Sequence, residues 1–226
     1  MISKTVDIWW IPLDREGEDA RLRPLLDARE KARADRFHRD RDRRRYTVAR
    51  GMLRTILGET LGIRPTDVAF RYGPQGKPSI EGNPFHFNLA HSNERAVLAI
   101  AKHGPIGIDL EYWHGLRDFD GIVGRFFTEG ERQVYGTLPE SLRQEAFFRG
   151  WTGKEAYLKA TGLGLAGPLE SVEVEIDPRR PACLRLLGDF DPVSWSLQEI
   201  DPGYDADYRG AIVAEGAIRI VIQSIQ

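Results

Sequence analysis

Apolar and polar positions along this chain follow two periods, near 2 in some stretches and near 3.6 in others, which predicts strands interleaved with helices. Thr5–Leu13 reads as a first strand anchored by Trp9 and Trp10. Leu22–Phe37 reads as a helix with apolar positions at Leu22, Leu25, Leu26 and Phe37. A second helix is predicted over Arg43–Leu61, with Tyr46, Ala49, Leu53, Ile56, Leu57 and Leu61 inward and Gly62 as its stop. Gly73–Pro84 is rich in Gly and Pro and reads as loop. Phe85–Leu89 and Ala96–Lys102 read as strands joined through Ala90–Arg95, and after a Gly104-Pro105 turn Ile106–Glu111 reads as a third. Further on, Thr128 with Glu131 three residues later forms a capping box that opens a helix. A long helix follows over Leu142–Thr161, then strands over Val172–Ile176, Ala182–Leu187, Trp195–Glu199, Gly210–Ala214 and Ile218–Ile222. The order predicts an α+β fold. Arg95-Ala-Val-Leu-Ala-Ile-Ala and Arg209-Gly-Ala-Ile-Val-Ala are loosely alike, about half a chain apart, which hints at an internal duplication.

Two segments place charge where these patterns leave room for chemistry. In Gly107-Ile108-Asp109-Leu110-Glu111 two carboxylates stand at i and i+2, so on a strand they share one face while Ile108 and Leu110 take the other. In Trp151-Thr152-Gly153-Lys154-Glu155-Ala156-Tyr157-Leu158-Lys159, Trp151, Glu155 and Lys159 are four residues apart and share one helix face. Taken alone, Glu155 and Lys159 equally describe a solvated surface pair, and Asp109 and Glu111 exposed charges at a strand end. Brought together, three carboxylates and a lysine suit a hard divalent cation holding a phosphate; unneutralised, they would repel and raise at least one pKa.

Composition narrows the rest. The 226 residues, 41% hydrophobic, suffice for one large domain or two small lobes. Cys183 is the single cysteine, which excludes an internal disulfide or a cysteine zinc cage. No apolar run is long enough to span a bilayer and Met1-Ile2-Ser3-Lys4 opens no signal peptide, so the expectation is a cytoplasmic, monomeric protein without membrane contact. Net charge is −2, yet Arg29 to Arg54 holds eleven Arg or Lys against four acids, centred on Arg41-Asp42-Arg43-Arg44-Arg45. Helical spacing groups Arg33 with Arg36, and Arg43 with Arg50 and Arg54. A local basic patch on a near-neutral protein suits an anionic ligand. The neutral total and the lack of interleaved aromatics argue against a nucleic-acid partner.

The two charged segments also resemble the paired signature of the 4'-phosphopantetheinyl transferases, specifically the surfactin-type (Sfp-like) group. Three further pieces match in order: Tyr72-Gly73-Pro74-Gln75-Gly76-Lys77-Pro78, Phe87-Asn88-Leu89-Ala90-His91-Ser92, and Arg125-Phe126-Phe127-Thr128-Glu129-Gly130-Glu131. Together the matches run from about Glu30 to Gly167. The resemblance implies two similar α/β lobes in pseudo-twofold relation with the active site in the cleft between them. Residues 1–105 would form the lobe on the coenzyme A nucleotide side, and 106–226 the lobe of the metal site and catalytic helix.

The implied reaction is transfer of 4'-phosphopantetheine from coenzyme A to a serine of an apo acyl or peptidyl carrier protein, leaving 3',5'-ADP. Magnesium, with manganese as substitute, would be held by Asp109, Glu111 and Glu155. Lys159 would contact the pyrophosphate and His91 a phosphate; Gly76, Lys77 and Pro78 would hold the adenine end. Arg45, with Arg33 and Lys31, falls where the 3'-phosphate is paired, and Lys154 joins the coenzyme-binding set. Glu155 is the implied base, directly or through metal-bound water, with Glu131 as alternative base or an outer metal ligand. Trp151 fits either core or pantetheine arm, and aromatic residues in Leu116–Leu138, including Phe119, Phe126 and Phe127, fit either core or carrier docking. One departure stands out: Ala90 replaces the usual serine before the histidine, removing one hydroxyl contact.

Overall fold

The computed structural model describes residues 4–82, 84–113, 118–164, 169–186, 195–203 and 207–225. Met1–Ser3, Leu116, Gly167 and Leu187, which bound some expected segments, lie outside them. The fold is α+β, with strands β1 (Lys4–Pro12), β2 (Phe70–Tyr72), β3 (Pro78–Ile80), β4 (His86–Ser92), β5 (Arg95–Ala101) and β6 (Ile106–Tyr112) in the first part. Helices α1 (Glu18–Leu22), α2 (Ala28–Ala34) and α3 (Asp40–Leu61) lie between β1 and β2. After β6 come α4 (Phe119–Phe126), α5 (Glu129–Thr137) and α6 (Glu140–Thr161). Strands β7 (Val172–Val174), β8 (Leu184–Leu186), β9 (Trp195–Ile200), β10 (Tyr208–Glu215) and β11 (Ile218–Gln223) follow.

One sheet has the order β11-β1-β5-β4 and a second β6-β10-β9, while β2-β3 and β7-β8 are two-stranded ribbons. The similar segments 95–101 and 209–214 fall on β5 and β10, each an inner strand of its sheet. The last strand returns to the first sheet, β11 pairing parallel with β1 from Lys4↔Ile218 to Trp9↔Gln223. A boundary at residue 105 therefore divides β11 from the other strands of the sheet it completes. The edges β4 and β6 adjoin: Asn88 Oδ1 accepts from Ile108 N at 2.8 Å, and Ser92 Oγ from Tyr112 N at 3.0 Å. Apolar faces of both sheets meet there, with Val6, Ile8, Val97 and Ala99 buried beside Ile108, Leu110, Tyr208 and Ile212.

The outer face of the first sheet is covered by α3, whose Val48, Met52, Leu53, Ile56 and Leu57 pack with Phe87, Leu98 and Ile100. The single helix expected over Leu22–Phe37 is three short pieces. Pro24 sits in a 3-10 turn over Arg23–Leu25, and Asp27 opens a new helix through a capping box with Glu30. The join expected over Ala90–Arg95 is also shorter: β4 runs through His91 to Ser92, and Asn93, at φ 49°, makes the turn. The helix α4 was not anticipated. The helix α6 is buried around most of its circumference, which blurs its apolar period. No helix among the described residues is long and apolar enough to cross a membrane.

Candidate active site

The acidic strand and the acid–base helix meet as their periods require. On β6, Ile108 and Leu110 enter the core between the sheets, so Asp109 and Glu111 face the other way. That face receives α6, and the approach is close because Gly107 has no side chain. A Cβ there would lie 1.9 Å from Ala156 O and 2.3 Å from Ala160 N. A cleft of about 570 Å³ results, lined by Asp109, Glu111, Trp151, Glu155 and Lys159 on one side and by Asn88 to His91 on the other.

Within it, Lys159 Nζ donates to Asp109 Oδ1 at 2.5 Å. Asp109 Oδ2 is buried with no partner among the described residues. Glu111 is held on both oxygens: the Ser92 hydroxyl donates to Oε2 at 3.1 Å and the Trp151 indole N–H to Oε1 at 3.4 Å. Trp151 itself is half-buried and stacks on Phe147, so it belongs to the core and to the cleft wall at once. Burial and the neighbouring Asp109 charge push Glu155 up to about 7, against the pull of Lys159. Burial, then Asp109, also raises Glu111.

The donor set fits a hard divalent cation. Three carboxylates line one cleft, one buried oxygen has no partner among the described residues, and two carboxyl groups are raised first by burial and then by the Asp109 charge, which a cation would offset. Among the described residues no three such side chains are yet drawn together tightly enough to grip a metal. The Lys159 ammonium occupies Asp109 in that arrangement.

A pH prediction follows from Glu155, which is only 4% exposed. Its folded pKa of about 7 lies above its ordinary 4.5, so its ionised form is penalised by the fold. In metal-free protein this lowers stability as pH rises from about 4.5 to about 7, with no further loss above. Glu155→Gln should therefore stabilise metal-free protein at pH 8, by on the order of 2 kcal/mol, and change little near pH 5. Denaturant unfolding with a chelator present measures this; an equal effect at both pH values would remove the burial argument.

At the other end of the cleft stand Arg29, Arg33, Phe37, Tyr46, Arg50 and Tyr72. Arg29 lies 4.4 Å over the Tyr72 ring and Arg33 5.4 Å over that of Tyr46. Arg50 pairs with the buried Glu30 at 2.5 Å. His91 is exposed and lines the cleft, as do Gly76 and Pro78.

Several expected ligands are placed elsewhere. Arg45 does not line the cleft; its guanidinium grips Asp14, Nε to Oδ1 at 2.7 Å, and donates to Asn93 Oδ1 at 2.9 Å. Arg54, expected with Arg43 and Arg50 in the basic patch, is buried and bound to Glu30 at 2.6 Å and Asp27 at 2.8 Å. Lys154 is fully buried, paired with Glu131 at 2.7 Å and donating to Leu169 O at 2.9 Å and to Val172 O. Glu131 also accepts from Thr128 N and Val174 N. The pair therefore belongs to the core of the second half, and neither residue reaches the cleft as ligand or base. Lys77 directs its ammonium to backbone carbonyls. Phe127 is core, stacked on Phe147, while Phe126 is only partly buried, edge-on to Trp151. The Ala90 side chain is buried in the core between the sheets, so a serine there would enter apolar surroundings.

Arg50 was grouped in the basic patch from the sequence, but Arg29 was not singled out. The only available signal was helical spacing, Arg29 standing four residues before Arg33.

Carboxylates and clustered guanidinium groups line one cleft, a set of charges that suits a phosphorylated ligand. Comparison with known proteins agrees. Residues 9–103 match the N-terminal domain of 4'-phosphopantetheinyl transferase, and residues 105–213 match the 4'-phosphopantetheinyl transferase superfamily. The 4'-phosphopantetheinyl transferase HetI of Nostoc sp. is 43% identical over 208 residues, 89% of this chain and 85% of that protein. The 4'-phosphopantetheinyl transferase psf-1 of Bacillus pumilus is 32% identical over 85% of this chain and 83% of its own. The 4'-phosphopantetheinyl transferase Sfp of Bacillus subtilis is 27% identical over 85% of each. The chain belongs to the 4'-phosphopantetheinyl transferase superfamily and is an enzyme of that class.

Proposed function

We propose that the enzyme is a surfactin-type transferase that moves 4'-phosphopantetheine from coenzyme A to a serine of an apo acyl or peptidyl carrier protein. The convergence of Asp109, Glu111, Glu155 and Lys159 opposite Arg29 and Arg33 in one cleft carries this reading. In this reading the cleft separates two related lobes, one of them completed by β11.

The serine oxygen attacks the phosphorus that bears the pantetheine arm. The bond from that phosphorus to the bridging oxygen breaks, and 3',5'-ADP leaves with the electron pair. Positioning and charge neutralisation dominate such a transfer. Asp109, Glu111 and Glu155 are the residues to hold magnesium, or manganese in its place, which when bound supplies positive charge to the phosphate oxygens. Lys159 supplies a second cation beside Asp109, within reach of the pyrophosphate. Glu155, in the same cleft, takes the serine proton. The guanidinium groups of Arg29 and Arg33 receive the nucleotide phosphate, Arg33 in particular the 3'-phosphate, with bidentate geometry available. Phe126 and Phe119 at the α4 surface are the apolar groups offered to the carrier.

The deciding measurement is the intact mass of several apo carrier proteins after incubation with enzyme, coenzyme A and magnesium. A gain of one phosphopantetheine on the serine is expected; no gain on any carrier would refute the assignment. For the nucleotide end, Arg33→Ala should weaken coenzyme A about tenfold or more and leave dephospho-coenzyme A nearly unaffected. Arg45→Ala should affect the two ligands alike, because Asp14 already occupies its guanidinium. Titration calorimetry with both ligands tests this, and equal losses for Arg33→Ala would move the 3'-phosphate elsewhere.

A further inference from the structure

The turn between β2 and β3 is closed by Gly76 N to Gly73 O at 2.9 Å and Gly73 N to Lys77 O at 2.9 Å, with Gly76 at φ 79°. Lys77 leaves this turn and donates to three carbonyls: Ile106 O at 3.0 Å, Lys159 O at 2.5 Å and Ala160 O at 3.1 Å. An ammonium has three N–H groups, so all are used. None is left for a ligand phosphate unless a carbonyl is released.

The identity of these carbonyls matters. Ile106 begins the strand that carries Asp109 and Glu111. Lys159 and Ala160 stand in the last turn of α6, which ends at Thr161, so their carbonyls lack helical partners and sit at the negative end of the helix. A lysine there satisfies orphan acceptors and neutralises that end. Its effect reaches the cleft in one step, because the residue whose carbonyl it holds is the one whose ammonium lies on Asp109. A second contact joins the same parts: a Cβ on Gly164, just past α6, would come within 2.9 Å of the Gln75 side chain.

We propose that Lys77 is a positioning residue that mechanically couples the β2–β3 turn to the ends of β6 and α6, so that ligand binding at the turn fixes the Lys159–Asp109 pair. This rests on the functional reading above and on the resemblance, which implies that the adenine end of coenzyme A lies at Gly76, Lys77 and Pro78. Burial lowers the Lys77 ammonium to about 8, which leaves it protonated and fully donating at neutral pH.

Hydrogen exchange on the wild-type enzyme tests the coupling without any variant. Saturating coenzyme A should slow exchange in the turn and also, by about tenfold or more, in the amides that follow Ala160. Protection confined to the turn overturns the proposal. In Lys77→Met, calorimetry should show coenzyme A affinity within about threefold of wild type, a change of less than 1 kcal/mol. The protection beyond Ala160 should be lost and kcat should fall more than KM changes. Lys77→Arg should behave like Lys77→Met, since a planar fork cannot aim three donors at one convergent set of carbonyls. A coenzyme A affinity loss of tenfold or more in Lys77→Met would instead make the lysine a charge contact for the ligand and overturn the coupling, and remote protection kept in Lys77→Arg would overturn the claim that three convergent donors carry it. Wild-type enzyme that binds no coenzyme A overturns the functional reading and this one with it, whereas binding and transfer without remote protection overturn this one alone.

Discussion

Asp109→Asn should lower transfer by about a thousandfold, equivalent to roughly 4 kcal/mol of transition-state stabilisation, while leaving the fold intact. The substitution keeps the size of a side chain that is 4% exposed, so packing is preserved. It removes one of the three carboxylates proposed to hold the cation, and the one whose Oδ2 is buried with no partner among the described residues. It also strips Lys159 of the carboxylate that holds it at 2.5 Å. A separate readout is available because the Asp109 charge raises Glu155: in metal-free Asp109→Asn the Glu155 pKa should move down toward its ordinary value. Single-turnover transfer, a calorimetric magnesium titration and circular dichroism together test the prediction. Turnover within about tenfold of wild type, at unchanged magnesium demand, would take Asp109 out of the site.

The second large effect is steric. Gly107→Ala places a methyl group 1.9 Å from Ala156 O, 2.3 Å from Ala160 N and 2.9 Å from the Lys159 carbonyl carbon. All three are backbone atoms, so no rotamer relieves the clash. Gly107 has no left-handed φ, so the demand on this glycine is for space alone. Strand and helix must separate, at a cost of about 3 kcal/mol or more. For a chain of this size that corresponds to a loss of roughly 10 °C in Tm. The same separation parts Asp109 and Glu111 from Glu155 and Lys159, and a displacement of about 1 Å is enough for a hundredfold loss of rate. Thermal unfolding and transfer assays measure both. A variant with wild-type Tm and turnover would mean that β6 and α6 are not this close.

How much of this was legible in the sequence depended on whether a residue's role is set by its own element or by another. Asp109, Glu111, Glu155 and Lys159 share faces dictated by the strand and helix periods, and the structure brings those faces together. Lys154 is next to Glu155 but about 100° around the helix from it, and that rotation alone turns it into the core. The arginines show the limit of composition. Arg33, Arg45 and Arg54 lie in one basic run, yet one lines the cleft, one is taken by Asp14 and one is buried against Glu30 and Asp27. Those partners come from other elements and no local spacing marks them. The same holds for Lys77, whose acceptors lie 29, 82 and 83 residues away. In β4, His91 and Ser92 read as turn because they are polar, but the adjoining β6 and the cleft give them polar work on a strand.

The return of β11 to the edge of the first sheet sets an order of events during synthesis. Lys4 pairs with Ile218, so β1 waits for a partner strand made much later. A nascent chain emerging at roughly 5–20 residues per second must hold Val6, Ile8 and Trp10 with β5 alone beside them until β11 has been translated. Contacts this distant in sequence are slow to close and form late. Once closed, they bind the two halves of the chain into one cooperative unit, so that loss of the final strand loosens the first sheet as well as the end of the molecule.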